Sequence, residues 1–398
     1  MSSVFGRSRK WSAGSGINSL AINQLQQGDT VDEAAVDRFL VQHDVPIVEG
    51  RHVTFLFRGE ADEVHLWQRI LGLPNRLAMQ RVPTTTLWYI VLKVPEGSRI
   101  NYQLEVRRGD DLERFNDPLN PKLSHSPFGA SSVCFAYGYT TPEWTFPDPR
   151  AAPGELTDLV VESRALARDC PITIYLPAAF RRTSSYSLLV VHDGGDFLQY
   201  AAAKVVLDNL IHGRDIAKTI VAFLHPKDRL VEYANSPQHA RFLKQELLPQ
   251  LELEFPLKRH RSSRVLLGAS FGAVAALSAA YRSPNTYGSL VLMSGSFVSA
   301  DRGMDHGGGA VFDPVVKFVN RYRERPRRVA DRLFVSCGLY EPLIIPNRSI
   351  VPVFESAGMR VRYVEALDGH TWENWRDRLR DGLSWVYPGP ASEGQREA

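Results

Sequence analysis

A serine hydroxyl flanked by glycines at the end of an apolar run is a candidate nucleophile, and Gly268-Ala269-Ser270-Phe271-Gly272 has that form. Val265-Leu266-Leu267 precedes it as a strand, and Ala273 to Ala280 follows as a helix of mostly small residues. A serine on a tight strand-to-helix turn needs glycines beside it, because a Cβ there collides with the neighbouring strand and helix. A bare G-x-S-x-G recurs by chance. The strand–turn–helix context is what gives this one chemical meaning.

Serine attacks an acyl carbon only when a base accepts its proton. Among eleven histidines, His370 is the first candidate. It lies in Asp368-Gly369-His370-Thr371-Trp372, past the last strand-like run, Val361 to Val364, and ahead of an amphipathic helix. The chain order nucleophile, acid, histidine is that of α/β-hydrolases. The imidazole needs a carboxylate to fix its tautomer. Glu341, in the loop after the strand Leu333 to Ser336, is the first choice, and Asp368 is the alternative. Two backbone N–H groups must face the developing oxyanion. Phe271 supplies one, and Gly194 or Gly195, in His192-Asp193-Gly194-Gly195-Asp196, supplies the other. Arg229, Lys227 and Arg376 are candidate cations for an anionic ligand.

The elements that must position these groups change character along the chain. Residues 1–30 read as a flexible leader, and Val31 to His43 as an amphipathic helix. From about 52 to 140 the period is two, in short strands such as Val53 to Phe57, Val64 to Trp67, Trp88 to Leu92 and Tyr102 to Val106, so 31–145 is expected to be a β-sandwich. Pro147, Pro149 and Pro153 mark a junction. Residues 150–390 alternate apolar strands (172–176, 188–191, 220–224, 265–267, 290–293 and 333–336) with helices such as Leu198 to Leu210 and Ala240 to Leu253, the latter kinked near Pro249. That alternation predicts an α/β-hydrolase fold, a mainly parallel sheet with helices on both faces.

Bulk properties narrow the function. A chain of 398 residues with a net charge of +3 suggests two domains and no polyanion such as nucleic acid as partner. No run reaches the ~18–20 apolar residues of a membrane span, and the N-terminus lacks a signal-peptide core. Cys134, Cys170 and Cys337 follow no metal spacing and suggest reduced core thiols in a cytoplasmic protein. Neither a cofactor nor a metal is expected. Oligomeric state is not readable from the sequence.

With these residues in view, the chain resembles the enterochelin (ferric-siderophore) esterase family, within the esterase D-like hydrolases. The resemblance spans about residues 45–380. It is carried by Glu162-Ser163, Ile174 to Pro177, His192 to Gly195, Arg229, Glu232-Tyr233 and Glu246 to Pro249. After the elbow it continues through Ser294-Gly295-Ser296, Gly338, Glu341-Pro342, Asn347, Gly369-His370, Trp372 and Trp375-Arg376. Val53 to Gly59, Leu87-Trp88-Tyr89 and Asp117 to Pro121 resemble the early-set sandwich that precedes the catalytic domain in that family. Ala273, where relatives often carry a further glycine, and the long polar leader depart from the pattern.

The resemblance implies hydrolysis of a catecholoyl-serine trilactone in ferric form, with release of iron inside the cell. It gives Ser270 as nucleophile, His370 as base, Glu341 as acid, and Phe271 with Gly194 as oxyanion donors; Arg229 and Trp372 are candidate substrate-binding residues. A carbohydrate-linked feruloyl or acetyl esterase is the alternative, in which Trp67, Trp88 and Tyr89 form a sugar platform rather than core. A non-enzymatic hydrolase-like scaffold is a third. The loop Asp301 to Asp313, with Gly307-Gly308-Gly309, is expected to be mobile and to serve as a lid.

Overall fold

Along the strands of the C-terminal part, neighbouring apolar residues belong to different cores, which is how a sheet covered on both faces must be built. The computed structural model describes residues 20–27, 31–299 and 309–390. Within them Leu188 and Val190 pack with Ile220 and Leu266 on one face. Leu189 and Val191 pack with Val221 and Leu267 on the other. These runs are therefore continuously hydrophobic.

The chain divides into two compact units, residues 1–140 with 367–369, and residues 141–366 with 370–398. In the first, two antiparallel sheets form the expected sandwich. One has the order 47–49, 52–58, 87–93, 80–81; the other runs 76–78, 63–68, 99–108, 129–135, 123–126, with 111–115 also paired to 99–108. Phe55 meets Tyr102 edge-on, ring centroids 4.8 Å apart. Strand Glu63–Gln68 alternates half-buried and buried, whereas His52–Arg58 is buried on both sides. The cause is a pair of helices, Ala21–Leu25 and Glu33–Gln42, whose Ile22, Val36 and Phe39 pack on Leu56 and Val91. This corrects the flexible leader for residues 20–27: Leu20 and Ile22 are buried core, and burial outweighs the polar composition around them. Residues 1–19 and 28–30 lie outside the described residues.

The second unit carries eight strands: β1 Glu155–Ser163, β2 Arg168–Leu176, β3 Ser187–Val191, β4 Thr219–Leu224, β5 Arg264–Ala269, β6 Ser289–Met293, β7 Arg332–Gly338 and β8 Arg360–Ala366. Their order is β1-β2-β4-β3-β5-β6-β7-β8, with every pairing from β4 to β8 parallel. Four helices matter for the site: α1 Gly194–Tyr200, α2 Phe271–Arg282, α3 Asp313–Glu324 and α4 Trp372–Val386. This is the α/β-hydrolase fold.

Three details differ from the sequence expectation. The edge strand β1 extends through the region after the prolines, paired antiparallel to β2. The helix expected over Leu198 to Leu210 is two helices, broken where Ala202 takes a left-handed φ of 47°. Where a kink near Pro249 is expected, the helical register changes: residues 242–247 form a π-helical turn, and Pro249 sits in the first turn of the helix Leu248–Glu254 that continues from it.

Candidate active site

Ser270 occupies the turn between β5 and α2 with φ 56° and ψ −118°, a conformation L-residues rarely adopt. Its N–H donates to Met293 O at 2.9 Å, and its carbonyl accepts from Ser296 N at 3.2 Å. Both flanking glycines have steric reasons. A Cβ on Gly268 would lie 2.2 Å from Gly272 O, and one on Gly272 would lie 3.1 Å from His192 Cβ. Strand and helix cross so closely that only hydrogen fits at Gly268.

The remaining groups emerge at the carboxyl ends of adjacent parallel strands, where open α/β sheets place their ligands. Gly194 follows β3, Ser270 follows β5, Ser294 to Ser296 follow β6, Glu341 follows β7 and His370 follows β8. Ser270 thus stands with the glycine loop on one side and the acid and histidine on the other. Ser270 Oγ lies 3.3 Å from Ser296 Oγ.

His370 Nδ1 meets Glu341 Oε2 at 2.5 Å. Glu341 is buried, and its Oε1 accepts from Ser294 Oγ at 2.6 Å and from Gly338 N at 2.8 Å. Burial by itself pushes a carboxyl pKa up. Here the adjoining His370 and the donors Ser294 and Gly338 outweigh it and hold Glu341 below the ordinary range, so it stays ionised. The alternative acid is engaged elsewhere: Asp368, grouped with the first unit, takes a bond from Arg99 Nη1 at 3.2 Å, both side chains buried.

Gly194 and Phe271 are the first residues of α1 and α2. Their amides are first-turn N–H groups, which a helix leaves without an internal acceptor. The Gly194 loop is held from several sides. Asp193, at φ 55°, donates its N–H to Tyr233 Oη at 3.1 Å. A Cβ on Gly194 would lie 2.4 Å from Phe223 Cβ. Buried His192 points Nδ1 at Leu267 O, 2.9 Å away, and Nε2 at His239 Nε2, 3.0 Å away. Since only a protonated Nδ1 can donate to the carbonyl, Nε2 of neutral His192 is the acceptor and His239 the donor. Burial, opposed by the Leu267 carbonyl, pushes the His192 pKa down to about 4.

Two predicted contact residues are occupied within the protein. Arg229 Nε donates to Asp193 Oδ1 at 2.8 Å and Nη2 to Ala269 O at 3.3 Å, with about a third of the side chain exposed (33%). Trp372 is buried against Phe197, Tyr200 and Trp375, at the head of α4, where its size fills core. Arg376 pairs with Asp377. Lys227 is exposed. The proposed lid falls largely outside the described residues, with only Gly309–Phe312 and the start of α3 visible.

Sequence reasoning assigned no role to three supporting residues. Trp375 Nε1 donates to Ser294 Oγ at 2.9 Å and its ring stands perpendicular to His370, centroids 5.0 Å apart. Asn347 clamps Gly295 through both backbone groups, accepting from its N–H at 3.2 Å and donating to its carbonyl at 2.8 Å. The Ser294-Gly295-Ser296 turn and the downstream Trp375 were visible as residues, but nothing in their spacing declares a hydrogen bond.

The fold and this constellation define a carboxylic ester hydrolase of the α/β-hydrolase type. The chain belongs to the family described as "Putative esterase", which matches residues 163–386, more than half its length. It is similar to the iron(III) enterobactin esterase of Escherichia coli O6:H1, 23% identical over 350 residues that cover 80% of this chain and 85% of that one. It is also similar to the uncharacterized protein YjcH of Bacillus subtilis, 26% identical over 139 residues, 33% of this chain and 58% of that protein. Among solved structures, the enterobactin esterase of Shigella flexneri, crystallised in the presence of enterobactin, shares the fold with a TM-score of 0.69 at 21% identity. That match covers 84% of this chain and 92% of the other.

Proposed function

We propose that this protein is a serine esterase that opens the ester bonds of a ferric catecholate siderophore of the enterobactin type, releasing its iron in the cytoplasm. The observation that carries the catalytic part is the buried Glu341 carboxylate on His370 Nδ1, set on the strand ends beside a strained Ser270. With Nδ1–H donating to Glu341, the neutral imidazole has its Nε2 lone pair available as base. Ser270 Oγ adds to the lactone carbonyl carbon as its proton passes to His370. The oxyanion is received by the Phe271 and Gly194 amides. Collapse breaks the ester C–O bond, and His370 protonates the departing serine hydroxyl of the substrate. Water then enters by the same sequence and frees the acid and Ser270.

The substrate rests on the relatives. The E. coli match covers 80% of this chain, more than the C-terminal unit holds, so the likeness includes the first unit. Within that unit, Trp88 is buried with Nε1 donating to Gly59 O, and Trp67 lies against the guanidinium groups of Arg69 and Arg114. Those engagements favour the siderophore reading over a sugar platform. Arg229, beside the oxyanion loop, presents its exposed edge to an anionic ligand, and Trp372 contributes through the wall it builds under α1.

The test is a panel of ferric and iron-free enterobactin, feruloyl-xylan and acetyl-xylan. Catecholoyl-serine fragments from the first two, absent with Ser270→Ala, are expected. Turnover of the sugar esters alone overturns the assignment.

A further inference from the structure

We propose that a second ligand site, selective for a compact multivalent anion, lies at the opposite end of α2 from Ser270. A groove of about 760 Å³ opens there, a volume within the range of small-molecule pockets. The twelve residues of α2 separate it from the nucleophile by roughly 18 Å at ~1.5 Å per residue, so it is not the ester-binding cleft. This inference goes beyond the esterase reading and does not depend on it.

Five cations from separate stretches of chain converge on the groove: Arg241 and Lys244 from the segment before Pro249, Arg282 from the last turn of α2, Arg321 from α3, and Arg327 from the loop after it. No aspartate or glutamate lines it. Among the described residues none of the five forms an ion pair. By contrast Arg168, Arg229, Arg264, Arg348 and Arg380 each meet a carboxylate within 3 Å. A concentration of positive charge without internal counter-charge is a self-repulsive arrangement that a bound anion relieves.

Two of the cations are held in place. Arg282 Nη2 donates to Asn235 Oδ1 at 2.8 Å and to its carbonyl at 3.3 Å. Arg327 lies over the Tyr281 ring, 4.8 Å from its centroid. Partial burial, and then the charge of Arg321, lowers the pKa of Arg282, consistent with crowding of like charge. The wall bearing Lys244 is the π-helical turn 242–247, a rare geometry that recurs at functional sites. Arginine forks match the oxygens of phosphate and carboxylate groups. The ligand is therefore a small molecule bearing two or more such groups.

The experiment is calorimetric titration of the full chain with inorganic tripolyphosphate and, separately, citrate. It compares the wild type with an Arg241→Gln/Arg282→Gln/Arg321→Gln variant and with the single exposed change Lys244→Glu. One saturable site is expected, with affinity at least about tenfold weaker in the triple variant and weakened in Lys244→Glu. Hydrolysis of a small activated ester should be unchanged in both. Binding of both anions identifies a general polyanion site, and binding of tripolyphosphate alone a phosphate site. Absence of saturable binding, or equal affinity in wild type and Lys244→Glu, overturns the proposal.

Discussion

At the scale of residues, two carboxylates near the histidine have opposite employment. Glu341 meets His370 Nδ1, while Asp368 is bonded to Arg99 and to the Gly369 amide. Replacing Glu341 by Gln should lower kcat by about 10⁴, because the imidazole loses its tautomer. Asp368→Asn should instead show itself in thermal unfolding, since breaking a buried ion pair costs about 3–5 kcal/mol. Equal losses of kcat in the two variants would contradict this division. Buried His192 supplies a second expectation. Its pKa of about 4 in the fold lies below the roughly 6.5 of an exposed histidine, so on acidification the unfolded chain takes up the proton first. The stability that neutral His192 carries is therefore intact above about pH 6.5 and lost as pH falls toward 4. A Tm that declines across that interval, less steeply in His239→Gln, is expected; a flat profile in the wild type is the contrary result. That Ser270, Glu341 and His370 stand at the ends of neighbouring strands was legible in the sequence, because each follows an apolar strand and few residue types can do the chemistry proposed for them. Ser294, Trp375 and Asn347 were not, since hydrogen bonding between strand-end turns and helices is settled only by the folded register.

At the scale of elements, β5 and α2 approach closely where Gly268 faces the Gly272 carbonyl. Gly268→Ala places a methyl group where no atom fits, and overpacking of this kind costs typically about 1–3 kcal/mol. The helix head and the Phe271 amide must shift with it. A lower Tm together with a fall in kcat larger than any change in KM is expected, and a variant with wild-type kcat would refute the contact. The apolar strands were readable from composition. Edge strand β1 was not, because it exposes alternate residues to solvent. The break at Ala202 and the burial of Ile22 are likewise tertiary outcomes: alanine does not announce a left-handed turn, and a short polar-flanked segment does not announce a core contact.

At the scale of the whole molecule, two units each bury a core of their own. No helix among the described residues is long and apolar enough to cross a membrane. Under the small net charge of +3, five cations gather at the groove beyond α2, and among the described residues none of them forms an ion pair. In the proposed reaction, the function of the whole chain turns on one hydroxyl, that of Ser270. The most direct test treats the intact protein with a fluorophosphonate and locates the adduct by peptide mass spectrometry. The account predicts one stoichiometric adduct on Ser270, absent in Ser270→Ala and formed far more slowly in His370→Ala. An intact enzyme that hydrolyses ferric enterobactin while Ser270 stays unlabelled would contradict it.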